Sequence, residues 1–432
     1  MISMIGEDEN GHPYLIHQAL VDNYLKENLI VMCKGIYYLY DFDTGVWEAK
    51  KDIEAIQIDT ARFMKKHTNL DWKVGYKKDI IEKLKVEIQE IKEMDVAPST
   101  MVCLLNGVYD MATGEFGEFE PAYYFTSHLQ VNYDPNAKCK LFSKFLREIS
   151  CRNRLRRKSL EEFLGISLVR DVGGGQAFIM WGHGANGKSV YMKIACALAG
   201  IDRWTTVSLK EMPNFGTVVL RGKTLAVISE IDKQTSNSLM TKELKQALTS
   251  EYMSCNEKNK PITTIRPFAS FLILSNFQIG LLFDDTEGAL RRLHILPCEM
   301  YLSENERDNG LEDKLMEELD GIFLLAAEGY RRLCSNNYQY SSKNESDSIL
   351  REILRSENPL RSFVKEKIEY SYGSNMLFRS LNESYKEWCI QNGIEFTQVD
   401  SKALYREISK QYNVSRHKSG SDRGIKHIKI KE

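Results

Sequence analysis

Gly182, His183, Gly184, Ala185, Asn186, Gly187, Lys188 and Ser189 fill every position of the pattern G-x-x-x-x-G-K-[ST]. That spacing suits the cradling of a polyphosphate. Glycines let backbone N–H groups curl round phosphate oxygens where a side chain would clash, and a following helix adds its positive N-terminus. Lys188 is expected to reach the β- and γ-phosphates, and the Ser189 hydroxyl to ligate Mg²⁺. The expected nucleotide contacts are Gly182, Gly184, Ala185, Asn186, Gly187, Lys188, Ser189 and Val190, with ATP and Mg²⁺ as the ligands. The alternative is a glycine turn with an incidental Lys-Ser.

Hydrolysis needs more than a cradle. Residues 224–229 (TLAVIS) are apolar and run into Glu230, Ile231 and Asp232. Glu230 is the candidate for orienting or deprotonating an attacking water and, with Ser189, for holding Mg²⁺; Asp232 is the candidate to share that shell. The run 271–275 (FLILS) ends in Asn276, an amide able to position the water, or else to cap a turn. Arg291 and Arg292 follow, either as a surface pair or as a finger reaching a neighbouring subunit's nucleotide. Between these runs, 255–261 (CNEKNKP) reads as a hairpin tip carrying Lys258 and Lys260. Such lysines are either solvated or grip the phosphates of DNA.

The elements that position these groups follow from pattern. Residues 176–181 (QAFIMW) read as a buried parallel strand feeding the glycine loop, and 190–199 as a helix stopped by Gly200. Upstream, 31–40 (VMCKGIYYLY) reads as one strand and 77–94 as an amphipathic helix. Turn signals at Asn106-Gly107 and Thr113-Gly114 make 100–134 β-rich, and 140–170 returns to helix with a basic run at 152–158 (RNRLRRK). A helix is expected over 311–333. From about residue 358 the pattern is three helices and then a strand at 424–430, the order of a winged helix. The last 32 residues carry nine Lys/Arg against three Asp/Glu, either a solvated face or a DNA backbone contact.

Composition bounds the alternatives. With 432 residues, 43% of them apolar, the chain is long enough for two or three domains and too apolar to be mostly disordered. No apolar run approaches the ~18 residues of a membrane span, so no membrane partner is expected. Residues 1–10 lack the apolar stretch of a secretory signal. The nine cysteines are odd in number and scattered, with no C-x-x-C, which fits thiols in a reducing compartment rather than a disulfide framework.

The order of these motifs resembles the superfamily 3 helicases, AAA+-related enzymes of viruses, plasmids and mobile elements. Segments outside the core resemble the phage and poxvirus primase-helicase family. Residues 105–118 (LNGVYDMATGEFGE) are similar to its "nGvlDl.tG.l", and 131–142 (VNYDPNAKCKLF) to its "v.ydp.A.cp.f", with Lys140 for proline. Residues 163–168 (FLGISL), Arg221-Gly222-Lys223 before Leu225, Leu244-Lys245, Arg291-Arg292 and 385–393 (YKEWCIQNG) continue the series; Thr249-Ser250-Glu251 replaces Thr-Gly-Gly-Asp. The resemblance implies an α/β fold: an N-terminal α+β domain (1–139), helical collar and P-loop ATPase core (140–345), and a C-terminal winged helix (346–432). It further implies a hexameric ring that hydrolyses ATP between subunits, with Arg291 or Arg292 acting in trans, and translocates on single-stranded or forked DNA, usually 3′ to 5′. No primase motif precedes the resemblance, so a separate primase or initiator is expected as a partner, in the cytoplasm of a bacterial host. The rivals are an initiator or loader that remodels DNA without processive unwinding, a small-molecule kinase, and a DNA-binding protein whose loop only switches shape.

Overall fold

Five short strands, four of them mainly apolar, form one parallel sheet: Ala177–Trp181, Trp204–Thr206, Leu225–Ile228, Ser270–Ser275 and Leu293–Pro297. Their lateral order puts Trp204–Thr206 at one edge, then Leu225–Ile228, Ser270–Ser275, Ala177–Trp181 and Leu293–Pro297. The register sets Ile179 beside Ile273 and Ile295. Near-continuous apolar sequence is what a parallel sheet covered on both faces requires. Alternation divides the strands: Phe178, Met180, Val227 and Leu272 pack towards the glycine-loop helix, while Ile179, Ala226, Phe271 and Ile295 face the other core. This computed structural model describes the chain except residues 1, 172–174, 210, 213–216, 230–241, 257–261, 277–290, 302–307, 309, 420–421 and 432.

One face of the sheet is closed by Lys188–Ala199 and by the helices Lys140–Ile149, Arg154–Ile166 and Leu319–Ser335. Two glycines let the last pair approach closely. A Cβ at Gly165 would lie 2.2 Å from Ala326 O, and one at Gly329 would lie 2.3 Å from Glu161 O. Arg332 clasps the same pair, bonding Glu162 at 2.7 Å and Glu161 at 2.9 Å. Gly329→Ala should therefore force two packed backbones apart and destabilise the fold by roughly 1–3 kcal/mol, read as a lower urea midpoint.

The other face is closed partly by Lys343–Glu357, whose Leu350 and Ile353 join that core. Ser346 Oγ accepts Ile295 N–H at 2.8 Å. His294 lies on the same strand, buried, stacked on Phe178 and hydrogen-bonded through Nε2 to Ser342 Oγ at 3.0 Å. Burial, and then the Lys343 charge, lower its pKa to about 3. The unfolded chain therefore takes up a proton below about pH 6.5 that the folded chain refuses until about pH 3. Stability should fall as pH drops through that window, and His294→Gln should flatten the fall in urea titrations at pH 7 and pH 5.

Residues upstream build two linked units. Helices His17–Glu27, Ile53–His67 and Tyr76–Glu87 share a core with Met4, Leu15 and Ile30. The strands Met101–Leu104 and Gly107–Asp110 send Val102, Leu104 and Tyr109, and Met111 just beyond them, into the core beneath the central sheet. Asn106 pins this hairpin, donating to Tyr133 O and accepting Tyr133 N–H at 3.1 and 2.9 Å.

Three expectations need correction. Residues 31–40 are not one strand but the hairpin Ile30–Cys33 and Ile36–Asp41. Lys34 and Gly35 both have positive φ, 52° and 79°, the tight turn that matches strand twist. The helix expected over 77–94 stops at Glu87, and Gln89–Ile91 pairs in parallel with Ile30–Cys33, whose open edge captures it. The helix expected over 311–333 is two, Leu311–Met316 and Leu319–Ser335. At the break, Glu318 accepts Leu141 N–H and Phe142 N–H at 3.0 and 2.8 Å, capping Lys140–Ile149 from a distance.

The C-terminal unit has the helices Pro359–Lys367, Phe378–Gln391 and Ser401–Gln411, the last capped by Asp400. A strand that the sequence pattern did not reveal, Ile368–Leu377, separates the first two helices and pairs with Asp422–Ile430, which also pairs with Arg416–Ser419. Phe363, Leu381, Trp388, Leu404, Ile408 and Ile425 fill its core. Among the described residues no helix is long and apolar enough to cross a membrane.

Candidate functional site

Parallel strands end on a common edge, and that edge gathers the loop and the strand tips. Ligands of open α/β sheets bind at such carboxyl ends, where the strand order reverses. The reversal falls here at Ala177–Trp181, since the chain leaves it for the far edge and finally crosses to Leu293–Pro297 on its other side. The loop starts at Gly182, whose N–H donates to Ser275 O at 3.1 Å. A Cβ at Gly182 would stand 2.1 Å from Cys298 O, so the neighbouring strand end itself demands glycine.

Ala185 and Gly187 take positive φ, 63° and 81°. A Cβ at Gly187 would meet Ile149 Cγ2 at 2.6 Å, so Lys140–Ile149 backs directly onto the start of the loop helix. Gly184 differs: it is exposed and a Cβ there would meet nothing within 4 Å. The free space beside Gly184 is where a bound group can approach the backbone.

Asn186 and Lys188 are buried, 2% and 5% exposed. The Asn186 amide donates to His183 O at 2.5 Å and to Cys298 O at 2.9 Å. The Lys188 ammonium donates to Gly182 O at 2.6 Å and to Asn186 Oδ1 at 2.9 Å. Burial lowers the Lys188 pKa, and among the described residues no carboxylate is paired with it. A buried cation held only by neutral acceptors is under-compensated, and an anion would relieve it. This is the observation that fits a polyphosphate to the loop. Ser189 is exposed at the first turn and Val190 is half-buried.

Asn276 is exposed, one residue beyond Ser270–Ser275, on the strand beside the loop-bearing one. Leu225–Ile228 is the next strand out, ~10 Å from the loop strand at ~4.8 Å per strand. Glu230 and Asp232 lie outside the described residues, as do Lys258 and Lys260. The hairpin that would carry those lysines is present: Met253–Cys255 pairs antiparallel with Thr263–Ile265. Arg221 holds its second strand through a 2.9 Å bond to Thr263 Oγ1. Ser250 stands at φ 53°, where glycine would be at ease, and its hydroxyl donates to Pro267 O at 2.6 Å. Among the described residues no group of three or more His, Cys, Asp or Glu is placed to hold a metal ion.

Arg291 and Arg292 lie at the opposite, amino-terminal ends of the strands. Arg292 O accepts Ala177 N–H at 2.7 Å and Arg291 O accepts the Gln176 amide at 2.9 Å, just before the strands begin. At ~3.3 Å per residue they sit ~13 Å or more from the loop. One chain does not bring its arginines to its own loop.

Sequence reasoning missed the supports. Cys298 O, which fixes Asn186, is 112 residues from it. Arg156, within the basic run 152–158, is spent structurally: it bonds Glu345 at 2.6 Å and Glu299 at 2.7 Å. Burial opposes its charge, but hydrogen bonds to these two carboxylates outweigh burial and raise its pKa. No local signal marks either contact.

Residues 17–151 match the family described as D5 N terminal like, which relates this segment to the N-terminal part of primase-helicases of phage-replication type. Residues 180–292 match a family of unknown function, DUF5906. No curated protein matches the chain. Among solved structures, "The A form apo structure of NrS-1 C terminal region-CTR" is similar at TM-score 0.59 and 12% identity, covering 94% of this chain and 98% of that one. "The apo structure of NrS-1 C terminal region (305-718)" is similar at TM-score 0.59 and 12% identity, over 95% and 99%. At such identity the likeness is one of fold.

Proposed function

We propose that this chain is an ATP-dependent DNA helicase serving the replication of a phage or mobile element, built on an AAA+-related P-loop core with a C-terminal winged helix. The observation that carries the reading is the buried Lys188 ammonium, held on neutral acceptors at the carboxyl edge of a parallel sheet. The separation of Arg291 and Arg292 from that loop supports hydrolysis between subunits, one giving the loop and its neighbour the finger, as in a hexameric ring. The likeness of residues 17–151 to the D5 N-terminal segment supports the replication context.

In this reading Lys188 and the loop N–H groups hold the β- and γ-phosphates. Ser189 and Glu230 hold Mg²⁺, which when bound neutralises charge on the phosphates. A water attacks the γ-phosphorus; the bond to the bridging oxygen breaks and ADP leaves. Glu230 orients that water or takes its proton, Asp232 shares the Mg²⁺ shell, and Asn276 positions the water. Lys258 and Lys260 grip the strand, and the helix Ser401–Gln411 with the terminal ribbon offers Lys402, Arg406 and Lys410 to the backbone of DNA. Translocation runs 3′ to 5′, with a separate primase or initiator as partner.

The test is unwinding of a labelled fork bearing a 3′ or a 5′ tail, by wild type and Lys188→Ala. ATP-dependent unwinding that needs the 3′ tail and disappears in the variant is the expected result. DNA-stimulated hydrolysis with no unwinding of either fork would favour an initiator or loader instead.

A further inference from the structure

A second cationic feature lies outside the site just described. Residues 138–158 hold nine Lys or Arg against the single Glu148, in a chain whose net charge is −2. Part of this charge serves the fold: Arg156 joins Glu299 and Glu345, and Arg157 bonds Glu161 at 2.9 Å. The rest is displayed. Lys140, Lys144 and Arg147 stand at i, i+4 and i+7 on the outer face of Lys140–Ile149, all exposed, while Phe142, Phe145, Leu146 and Ile149 bury the inner face. With Lys138 and Arg157 they line a cleft of about 490 Å³ that has no acidic side chain in its wall. Lys138, Lys140 and Arg147 have no carboxylate partner among the described residues, and Lys144 has only the exposed Glu148 at 3.9 Å.

The scaffold under these charges is rigid. Glu318 caps the helix through Leu141 N–H and Phe142 N–H. A Cβ at Gly321 would lie 2.5 Å from the Lys138 carbonyl carbon, so the entry to the helix is clamped against Leu319–Ser335. A held backbone under the cations leaves less ordering to be done on binding. At ~1.5 Å rise per residue the row from Lys140 to Arg147 spans ~10 Å, about three phosphates at ~3.4 Å per nucleotide of a stacked strand.

We propose that this cleft binds the phosphodiester backbone of a nucleic acid strand, at a site separate from both the glycine loop and the hairpin strands Met253–Cys255 and Thr263–Ile265. The proposal rests on the helicase reading for the identity of its ligand. The inner face of the same helix supplies the Ile149 and Phe145 contacts beneath Gly187, so a strand held on the outer face sits one helix thickness from the loop.

The test measures the binding of a labelled oligothymidylate to the full chain across a salt series. Wild type is compared with the triple variant Lys140→Gln, Lys144→Gln, Arg147→Gln and with a control in which the exposed Lys65, Lys66 and Lys78 become Gln. The triple variant should lose about 2 from the slope of log K against log salt, three contacts at ~0.7 each, and at least ~10-fold in affinity at low salt. The control should match wild type, and Arg147→Gln alone should lose about 0.7. Circular dichroism melting checks the fold of each variant. Equal slopes in wild type and triple variant, with unwinding intact, would overturn this site and leave the helicase reading standing. An equal loss in the control would also overturn it, as general charge. ATP hydrolysis by a wild type that binds no oligonucleotide would remove the helicase reading, and this site with it. Competition by duplex of the same length reads which form the cleft takes: preference for the single strand is expected, and exclusive duplex binding overturns the strand proposal.

Discussion

Lys188→Ala should reduce ATP hydrolysis by about 10²–10³-fold or more, the size of effect seen when one preorganised donor to a developing charge is removed. The ammonium is in place before any ligand arrives, bonded to Gly182 O and Asn186 Oδ1 within a buried loop. Its lowered pKa says that holding the charge there opposes folding at neutral pH, since the unfolded lysine keeps its proton more firmly. Alanine removes that opposition and also removes the ammonium's hydrogen bonds to Gly182 O, His183 O and Asn186 Oδ1. The two changes act in opposite directions, so the melting temperature without nucleotide should move little, by about 1–2 °C for each ~1 kcal/mol of net change in a chain of this length. The rise in melting temperature that ATP gives wild type should vanish, because the binding that stabilises the folded form is lost. A variant that hydrolyses ATP at the wild-type rate would remove the assignment of the loop.

The second large effect concerns the amino-terminal ends of the strands. Arg291→Ala or Arg292→Ala, whichever is the finger, should cut hydrolysis by about 10³-fold or more while leaving nucleotide affinity nearly unchanged. The reason is geometric. Both arginines flank the start of Leu293–Pro297, beside Ala177, whereas the loop begins after Trp181 at the other end of the paired strand. Mixing gives the sharpest reading. Lys188→Ala subunits retain their arginines and arginine-variant subunits retain their loops, so mixed assemblies should recover part of the activity that each lacks alone. No recovery, together with full activity in a strictly monomeric form of wild type, would eliminate action in trans.

Much of the site was legible because its information is local. A polyphosphate cradle needs glycines, a lysine and a hydroxyl at fixed spacing, and the flanking apolar runs at 176–181, 224–229 and 271–275 are long enough to read as strands. The structure has those strands as Ala177–Trp181, Leu225–Ile228 and Ser270–Ser275, and ends the loop helix at Gly200. The three helices expected from about residue 358 were legible for the same reason: their apolar spacing lies within each element. The misread segments depended on partners elsewhere. Lys34-Gly35 is a weaker turn signal than Asn-Gly, and only pairing of Ile30–Cys33 with Ile36–Asp41 reveals it. Gln89–Ile91 has helical spacing behind it and becomes a strand because an edge lies within reach.

The sequence by itself determined the groups on offer: a glycine-rich loop with a lysine and a serine at fixed spacing, carboxylate and amide candidates after apolar runs, paired arginines, and a mixed α/β chain. Only the tertiary structure decided which of these groups meet. It set Asn186 against Cys298 O, pressed Ile149 beneath Gly187, and put Arg291 and Arg292 at the strand ends away from the loop. The physical reason is that strand order is fixed by which apolar faces bury best together. Contacts between residues a hundred positions apart leave no mark in the local spacing of either partner.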